Sequence, residues 1–354
     1  MSGSVGIRDV ARLAGVSPST VSRVLNDKMG GVQMNPRTIE RIRQAAATLH
    51  YQPNSAARSL RTTHARTIGV LARNLLHPFI TELLYVISSS CRARGYHLLL
   101  SHAEPSPAEG WTLGDSLSAD RVDGVLVLGD ILPGPHRVQH MVQLIRTHNH
   151  VVTIGGHPSV AGELSIMVDD VQGVTMALEY LLAQGHRSIG YFSQHGGAES
   201  WEDRQRHATY RDFLRTHGLP HLPEAVMEVS NDIMSIQRAL EVLLALPEHP
   251  TAVFVANDAT ALVTIKAAIA VGLRVPDDLS VMGFDDIPFA ALCTPGLTTI
   301  RQPIEAMGQY AATILLDSIA GVDSVDTPAL ALLDTNTLIF PPALVCRDSV
   351  RAIA

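Results

Sequence analysis

The chain has 354 residues, 46% of them hydrophobic and 17% charged. That exceeds one ordinary domain and supplies enough apolar material for substantial cores, which excludes a disordered chain or a small disulfide-stapled one. The net charge of −7 conceals an uneven split, because residues 1–66 hold ten Lys or Arg against three acids, a net of +7 that leaves −14 on the remainder; a basic head on an acidic body points to a nucleic-acid partner and restrains non-specific association.

Residues 7–26 read as two short helices joined by a tight turn. Val10, Ala11 and Ala14 recur at helical spacing, Gly15 ends the first helix, and Ser17 caps a second helix begun by Pro18. Val21, Val24 and Leu25 are expected inside, with Ser19, Ser22 and Arg23 on the opposite face. A helix of this kind laid in the major groove presents Ser19, Ser22 and Arg23 to base edges, and Ser17, Pro18, Thr20 and Asn26 of the same segment complete the candidate DNA-binding residues. Arg23 is the strongest candidate reader, since a guanidinium can bond guanine bidentately. The bland reading, a helical hairpin that merely packs, is outweighed by the basic charge around it.

A third helix is expected over residues 36–50, with Ile39, Ile42, Ala46 and Leu49 on one stripe closing a three-helix core. Pro53-Asn-Ser-Ala-Ala-Arg-Ser-Leu60 follows and is too short to stand alone as a helix in water, where roughly 12 to 15 residues are needed. Residue types leave two readings equal: a solvated linker, or a hinge that folds against a second copy over the minor groove and wedges Leu60 between base pairs.

These motifs, Asp9-Val-Ala11, Gly15-Val-Ser17, Thr20-Val-Ser-Arg-Val-Leu-Asn26, His50-Tyr-Gln-Pro-Asn54 and Ala57-Arg-Ser-Leu60, resemble the lactose-repressor (LacI/GalR) family of bacterial transcription regulators. The resemblance implies base-reading roles for Pro18, Ser19 and Arg23. It also implies a hinge that becomes helical on the operator, with Ala57 and Leu60 at the DNA and Leu60 intercalated.

From Thr67 onward the pattern becomes β-branched apolar runs, at residues 67–71, 97–100, 124–128, 150–154, 188–192, 251–255 and 279–284. Helix-like stretches lie between them at 78–94, 171–184, 203–217, 232–246 and 258–271. Such alternation predicts an α/β body with too many strands for one sheet, and hence two doubly wound parallel-sheet lobes. Ligands of such folds lie beyond the carboxyl ends of strands, where Asn257-Asp258, Asp285-Asp286, Arg204 and Arg206 fall. Together they suit a polyhydroxylated ligand, since carboxylates accept from hydroxyls and arginine donates in a fixed fork. Asp258 and Asp286 stand where helix caps belong, whereas Asn257 and Asp285, one residue earlier, carry the ligand expectation.

The resemblance extends over residues 67–350, which look like the family's effector-binding core, itself similar to periplasmic sugar-binding proteins. It rests on His77-Pro-Phe-Ile80, Val122-Asp-Gly-Val-Leu126, Gly185-His-Arg187, Arg204-Gln-Arg206, Ala256-Asn-Asp258, Gly283-Phe-Asp-Asp-Ile-Pro288 and Leu297-Thr-Thr-Ile-Arg-Gln-Pro303. By motif it places Arg206, Asn257 and Asp285 at ligand-bonding positions, Phe79 at a ring-stacking position and Gln302 at a polar position near the interlobe crossover. The pattern is departed from at three places. Ile80 stands where a second aromatic is common, Gly155-Gly156 where an acid and a base often stand, and Ile233 where an aromatic often covers the sugar; Trp201 is a candidate to fill the space.

The organisation implied is residues 1–52 as the helix-turn-helix DNA-binding domain, 53–66 as hinge helix and linker, and 67–354 as the effector core. Its lobes are expected at about 67–167 with 302–330, and at 168–301 with 331–354. No stretch has signal-peptide form and no run of about 18 apolar residues can cross a bilayer, so a cytosolic chain without a membrane partner is expected. Cys91, Cys293 and Cys346 are odd in number and far apart, which reads as reduced packing residues. Catalysis, metals and cofactors are not expected: no Gly-Lys-Ser/Thr phosphate loop or dinucleotide fingerprint is present, His186 belongs to a helix-to-strand turn, and His136, His140, His148 and His150 lack the cysteines or acids of a zinc set and read as a solvated face. The function expected is a homodimeric regulator, a repressor of carbohydrate-utilisation genes, that binds a palindromic operator in double-stranded DNA. A small-molecule effector, a sugar or sugar derivative, controls it from the interlobe cleft. The rivals are a sugar receptor without DNA binding and a regulator answering to a protein partner.

Overall fold

Gly15 ends the first helix with φ at 62°, the left-handed conformation that glycine adopts without steric cost, and its N–H reaches back to the carbonyls of Ala11 and Arg12. The computed structural model describes residues 5–25, 34–51, 65–72, 75–102, 104–106, 110–112, 117–129, 137–159, 162–194, 200–322, 331–334 and 336–353. They divide into two compact units, residues 1–65 and 66–354.

In the first unit, α1 (Ile7–Ala14), α2 (Pro18–Leu25) and α3 (Pro36–Thr48) surround a small core of Val10, Ala11, Ala14, Val21, Val24, Ile42, Ala45 and Ala46. Ile39 and Leu49 pack on its margin. Asp9 accepts from the Gly6 N–H at 3.0 Å, Asn35 caps α3 through the Arg37 N–H at 2.9 Å, and Arg41 donates through Nε to the Ala14 carbonyl at 2.9 Å. The last bond ties α3 to the end of α1 and fixes the turn that precedes α2.

The second unit contains two lobes. One sheet runs in the order β13 (Ala331–Asp334), β14 (Thr337–Phe340), β7 (Leu164–Val168), β6 (Val151–Ile154), β5 (Gly124–Leu128), β1 (Thr67–Ala72) and β2 (His97–His102). All of its pairings are parallel except β13 with β14. The helices α4 (Pro78–Ala93) and α10 (Ile304–Ala320) contribute Leu83, Ile87, Met307, Ala311 and Leu315 to its core. A short hairpin of β3 (Glu104–Ser106) and β4 (Gly110–Thr112) and the helix α5 (Arg137–Thr147) complete this half.

The other sheet runs β15 (Ala343–Val345), β12 (Thr298–Arg301), β11 (Ser280–Asp285), β10 (Ala252–Val255), β8 (Ile189–Gln194) and β9 (Val226–Val229), with only β15 antiparallel. Its faces are covered by α6 (Asp170–Ala183), α7 (Trp201–Thr216), α8 (Ile233–Leu244) and α9 (Asp258–Ala270). The central strands are buried along their length, as expected of parallel strands between helical layers.

The chain passes between lobes after β7, after β12 and after β14. The third passage corrects the expected lobe limits. Residues 331–340 were expected in the second lobe, but β14 pairs with β7 in the first, where the Ser165 N–H donates to the Asn336 carbonyl and the Asp169 N–H to the Phe340 carbonyl. The free edge of β7 takes this strand because its backbone groups would otherwise lack partners.

Cys91 is buried and unbridged, but Cys346 is exposed, so packing does not account for it. His148 is buried against the end of α5 and burial lowers its pKa, contrary to the solvated face expected for it. His186 takes the turn position expected of it, with Nδ1 at 2.8 Å from Thr251 Oγ1 and Nε2 at 3.1 Å from the Arg351 carbonyl. Among the described residues no helix is long and apolar enough to cross a membrane, and no group of three or more His, Cys, Asp or Glu is arranged to hold a metal ion.

Candidate functional site

The exposed edge of α2 is built from hydroxyls. Ser17 Oγ accepts from the Thr20 N–H at 3.2 Å and lies 2.7 Å from both Ser19 Oγ and Thr20 Oγ1, so one capping residue orders its neighbours. Pro18, Ser19 and Arg23 are exposed and Thr20 and Ser22 half-buried, while Val21 and Val24 turn into the core. Asn26, Ala57 and Leu60 lie outside the described residues.

At the carboxyl ends of the second lobe's strands, Arg206 from α7 lies 7% exposed over the Phe284 ring, with Cζ 3.7 Å from the centroid. Its Nε donates to Asp170 Oδ1 at 2.8 Å and its Nη1 to the Ala256 carbonyl at 2.6 Å, while Asp285 Oδ1 stands 4.0 Å from Nη1. Gln302 Nε2 donates to that same Asp285 oxygen at 2.7 Å. Asp285 Oδ2 is buried and makes no hydrogen bond. The residue adopts φ 127°, in a region an L-residue rarely occupies, which marks stored backbone strain at the strand end.

Burial opposes the charge on Arg206, but Asp170 and Asp285 more than offset it, so its pKa is raised. Burial pushes Asp170 up to about 6 and Asp285 up to about 7, in both cases against the pull of Arg206. The fixed charge of Arg206 is thus held by Asp170, and Asp285 keeps acceptor capacity for a hydroxyl or amide donor. His77, at the start of α4 in the first lobe, has its pKa lowered by burial and then by the Arg206 charge, so an uncharged imidazole faces this cluster across the lobes.

The capping expectation is corrected at both acid pairs. Asn257, not Asp258, caps α9: its Oδ1 accepts from the Thr260 N–H at 2.9 Å, leaving Nδ2 3.4 Å from Gln194 Oε1. Asp258 is fully buried one residue later, accepting from Thr299 Oγ1 at 2.5 Å and from the Ile287 N–H at 3.0 Å, and burial with the Asp285 charge pushes it up to about 8. Gly283 is required beneath it, because a Cβ there would overlap Asp258 Oδ1. Asp286 caps nothing; its two oxygens take Arg301 Nε and Arg347 Nη2, each at 2.6 Å.

The structure therefore brings Arg206, Asp285 and Gln302 together, with Asn257 one residue beyond the carbonyl that Arg206 bonds. Phe79, partly buried, packs against the first lobe's core, and Ile80 belongs to that core. The motifs missed Asp170, whose only signal was the Asp169-Asp170 pair after Val168, and Glu202, which accepts from the Gly156 N–H across the cleft. Trp201 sits beside it, its ring centroid 4.2 Å from that of His157. A cavity of about 570 Å³ opens at the crossover beyond Gln302, lined also by Glu82, Asp286, Arg301 and Glu305.

A helix-turn-helix head followed by a two-lobed ligand-binding core defines a class of ligand-responsive DNA-binding proteins. Residues 6–54 match the model of bacterial regulatory proteins of the lacI family, and residues 178–350 match a periplasmic binding protein-like domain. The chain is 34% identical over 347 residues to the HTH-type transcriptional repressor PurR of Erwinia tasmaniensis, covering 97% of this chain and 96% of that protein. It is 35% identical to PurR of Pectobacterium carotovorum subsp. carotovorum over the same shares of the two chains. Among solved structures, the lac repressor dimer bound to operator and the anti-inducer ONPF is similar at TM-score 0.79 and 28% identity, over 99% of this chain and 100% of that one. A complex of the transcriptional regulator CelR with cellobiose matches at TM-score 0.67 and 27% identity, over 98% and 99%. The chain belongs to the LacI family. It is a DNA-binding transcriptional repressor with an effector-binding core, and not an enzyme.

Proposed function

We propose that the protein acts in the cytoplasm as a homodimer on a palindromic operator, and that a neutral polyhydroxylated metabolite, a sugar or sugar derivative, binds between its lobes to alter that grip. Ser17, Pro18, Ser19, Thr20, Ser22, Arg23 and Asn26 take the major groove, and Ala57 and Leu60 the minor groove. Arg206, Asn257, Asp285 and Gln302 take the ligand's hydroxyls, with Phe79 against its apolar face. The observation that carries the ligand reading is the buried, unbonded Oδ2 of Asp285, since such an atom is costly unless a donor arrives. A ligand bonded on both lobes favours the closed cleft by its differential contacts, and a coupling of about 1 to 3 kcal/mol alters operator affinity roughly 5- to 150-fold.

A gel shift on the protein's own promoter at about 50 and 200 mM salt tests the DNA reading, the expected result being sequence-selective binding that falls steeply with salt. Thermal shift with sugars, phosphosugars and nucleosides tests the ligand reading, the expected result being stabilisation by a neutral sugar. Stabilisation by nucleosides alone replaces the sugar, and silence across the panel favours a protein partner.

A further inference from the structure

Glu202 lies in the first turn of α7, on the second lobe, and its Oε1 accepts a hydrogen bond from the Gly156 N–H on the first. The loop that receives it is Gly155-Gly156, with φ at 72° and 78°, and a Cβ on Gly155 would stand 3.2 Å from Glu202 Oε1. Gly155 thus lies close to the carboxylate and Gly156 supplies the N–H, both in a left-handed backbone that glycine adopts without steric cost. The adjacent Trp201 covers the same loop through His157. Glu202 also acts electrostatically on Asp170, Asp285 and Arg206, so its charge is felt throughout the cluster that faces the cleft.

Among the described residues of this cluster the acids outnumber the cations. Arg206 is bonded to Asp170 at 2.8 Å and stands 4.0 Å from Asp285, Glu202 accepts from a backbone N–H, and the imidazole that faces them, His77, is uncharged. Asp285 is 3% exposed with one oxygen unbonded, so this carboxylate is a buried acceptor and not part of a solvated acidic surface.

We infer that Glu202 is a specificity-determining residue of the effector cleft: bridging the lobes at Gly156, it makes the cleft reject anionic ligands and accept neutral ones rich in hydroxyl or amide donors. This rests on the effector reading given above and adds to it the charge class of the ligand. A phosphorylated ligand would bring its charge against Glu202 and the buried Asp285, where like charges are unfavourable. A neutral ligand brings hydroxyl or amide donors to Asp285 and no like charge against Glu202.

The test is calorimetric binding of ribose, glucose, cellobiose and adenosine beside ribose 5-phosphate, glucose 6-phosphate and adenosine monophosphate. Three full-length proteins are compared: wild type, Glu202→Gln and Glu202→Asp. Gln keeps an acceptor for the Gly156 N–H and removes the charge, whereas Asp keeps the charge and is too short for the bridge. In wild type a neutral probe is expected to bind at least about tenfold more tightly than its phosphate, Glu202→Gln is expected to reduce that ratio about tenfold, and Glu202→Asp to preserve it while weakening both. The inference is overturned if a phosphorylated probe binds wild type as tightly as its neutral counterpart, or if Glu202→Gln leaves the ratio unchanged. Failure of every probe on all three folded proteins would overturn the small-molecule reading itself, an outcome distinct from binding without discrimination.

Discussion

Gln302 donates to Asp285 Oδ1 at 2.7 Å, the same oxygen that stands 4.0 Å from Arg206 Nη1. The amide thus holds the carboxylate at the margin of an ion pair, and Asp170 is the acid that holds Arg206 closely. Gln302 follows β12, where the chain passes between lobes, so the carboxylate is positioned by a crossover segment as well as by its own strand.

Arg206 therefore has two roles that a single truncation confounds. Arg206→Ala leaves the buried Asp170 carboxylate unpaired and is expected to destabilise the core by about 3 to 5 kcal/mol, seen as a lowered Tm in calorimetry. Adding Asp170→Asn removes the stranded charge and is expected to recover most of that loss without restoring effector binding. A double variant no more stable than the single would show that the ion pair is not what stabilises this region.

In the head, Arg23 is exposed on α2 with Ser17, Pro18 and Ser19 beside it. Arg23→Ala is expected to weaken the best operator by about 1 to 3 kcal/mol while hardly changing binding to unrelated duplex, measured by gel shift. Equal loss on all sequences would make it a phosphate contact. Ser17→Ala removes the Thr20 cap and is expected to cost about 0.5 to 2 kcal/mol of head stability, read from amide hydrogen exchange.

Strand runs with dense β-branched residues were legible in the sequence, whereas Leu164–Val168 was not, because Ser165 breaks its apolar run and only pairing with β14 and β6 makes it a strand. Missing that strand hid Asp170, which begins the helix beyond it. The cap at Asn257 was misread by one residue, a shift that hydrogen bonding decides and composition does not. Arg206 and Asp285 were legible because strand ends and helix starts locate them. The Glu202–Gly156 contact was not, since it joins lobes 46 positions apart in sequence.

Asp258 gives a pH signature. Its carboxyl is raised from the ordinary 3.8 to about 8, first by burial and then by Asp285, so the folded chain keeps a proton that the unfolded chain has lost. That contribution is fully present below about pH 4 and is lost as pH rises towards 8. The Tm of the wild-type core is expected to fall between pH 5 and 8, and Asp258→Asn, a mimic of the protonated acid, to flatten the fall. Parallel profiles for the two proteins would refute a retained proton.

Gln302→Leu separates the amide from the arginine as the control on Asp285. Burial raises this carboxyl to about 7, opposed by Arg206 and by the Gln302 bond, so removing that bond drives its pKa further up. The sign is that of any acid raised on folding: the variant loses stability as pH climbs, and its decline extends to higher pH than in wild type. Effector binding at neutral pH is expected to weaken severalfold, because a protonated Asp285 accepts fewer hydroxyl donors, and to recover partly at pH above the raised value. If instead the variant binds effector with an unaltered pH profile, Asp285 has closed the 4.0 Å gap and paired with Arg206 directly.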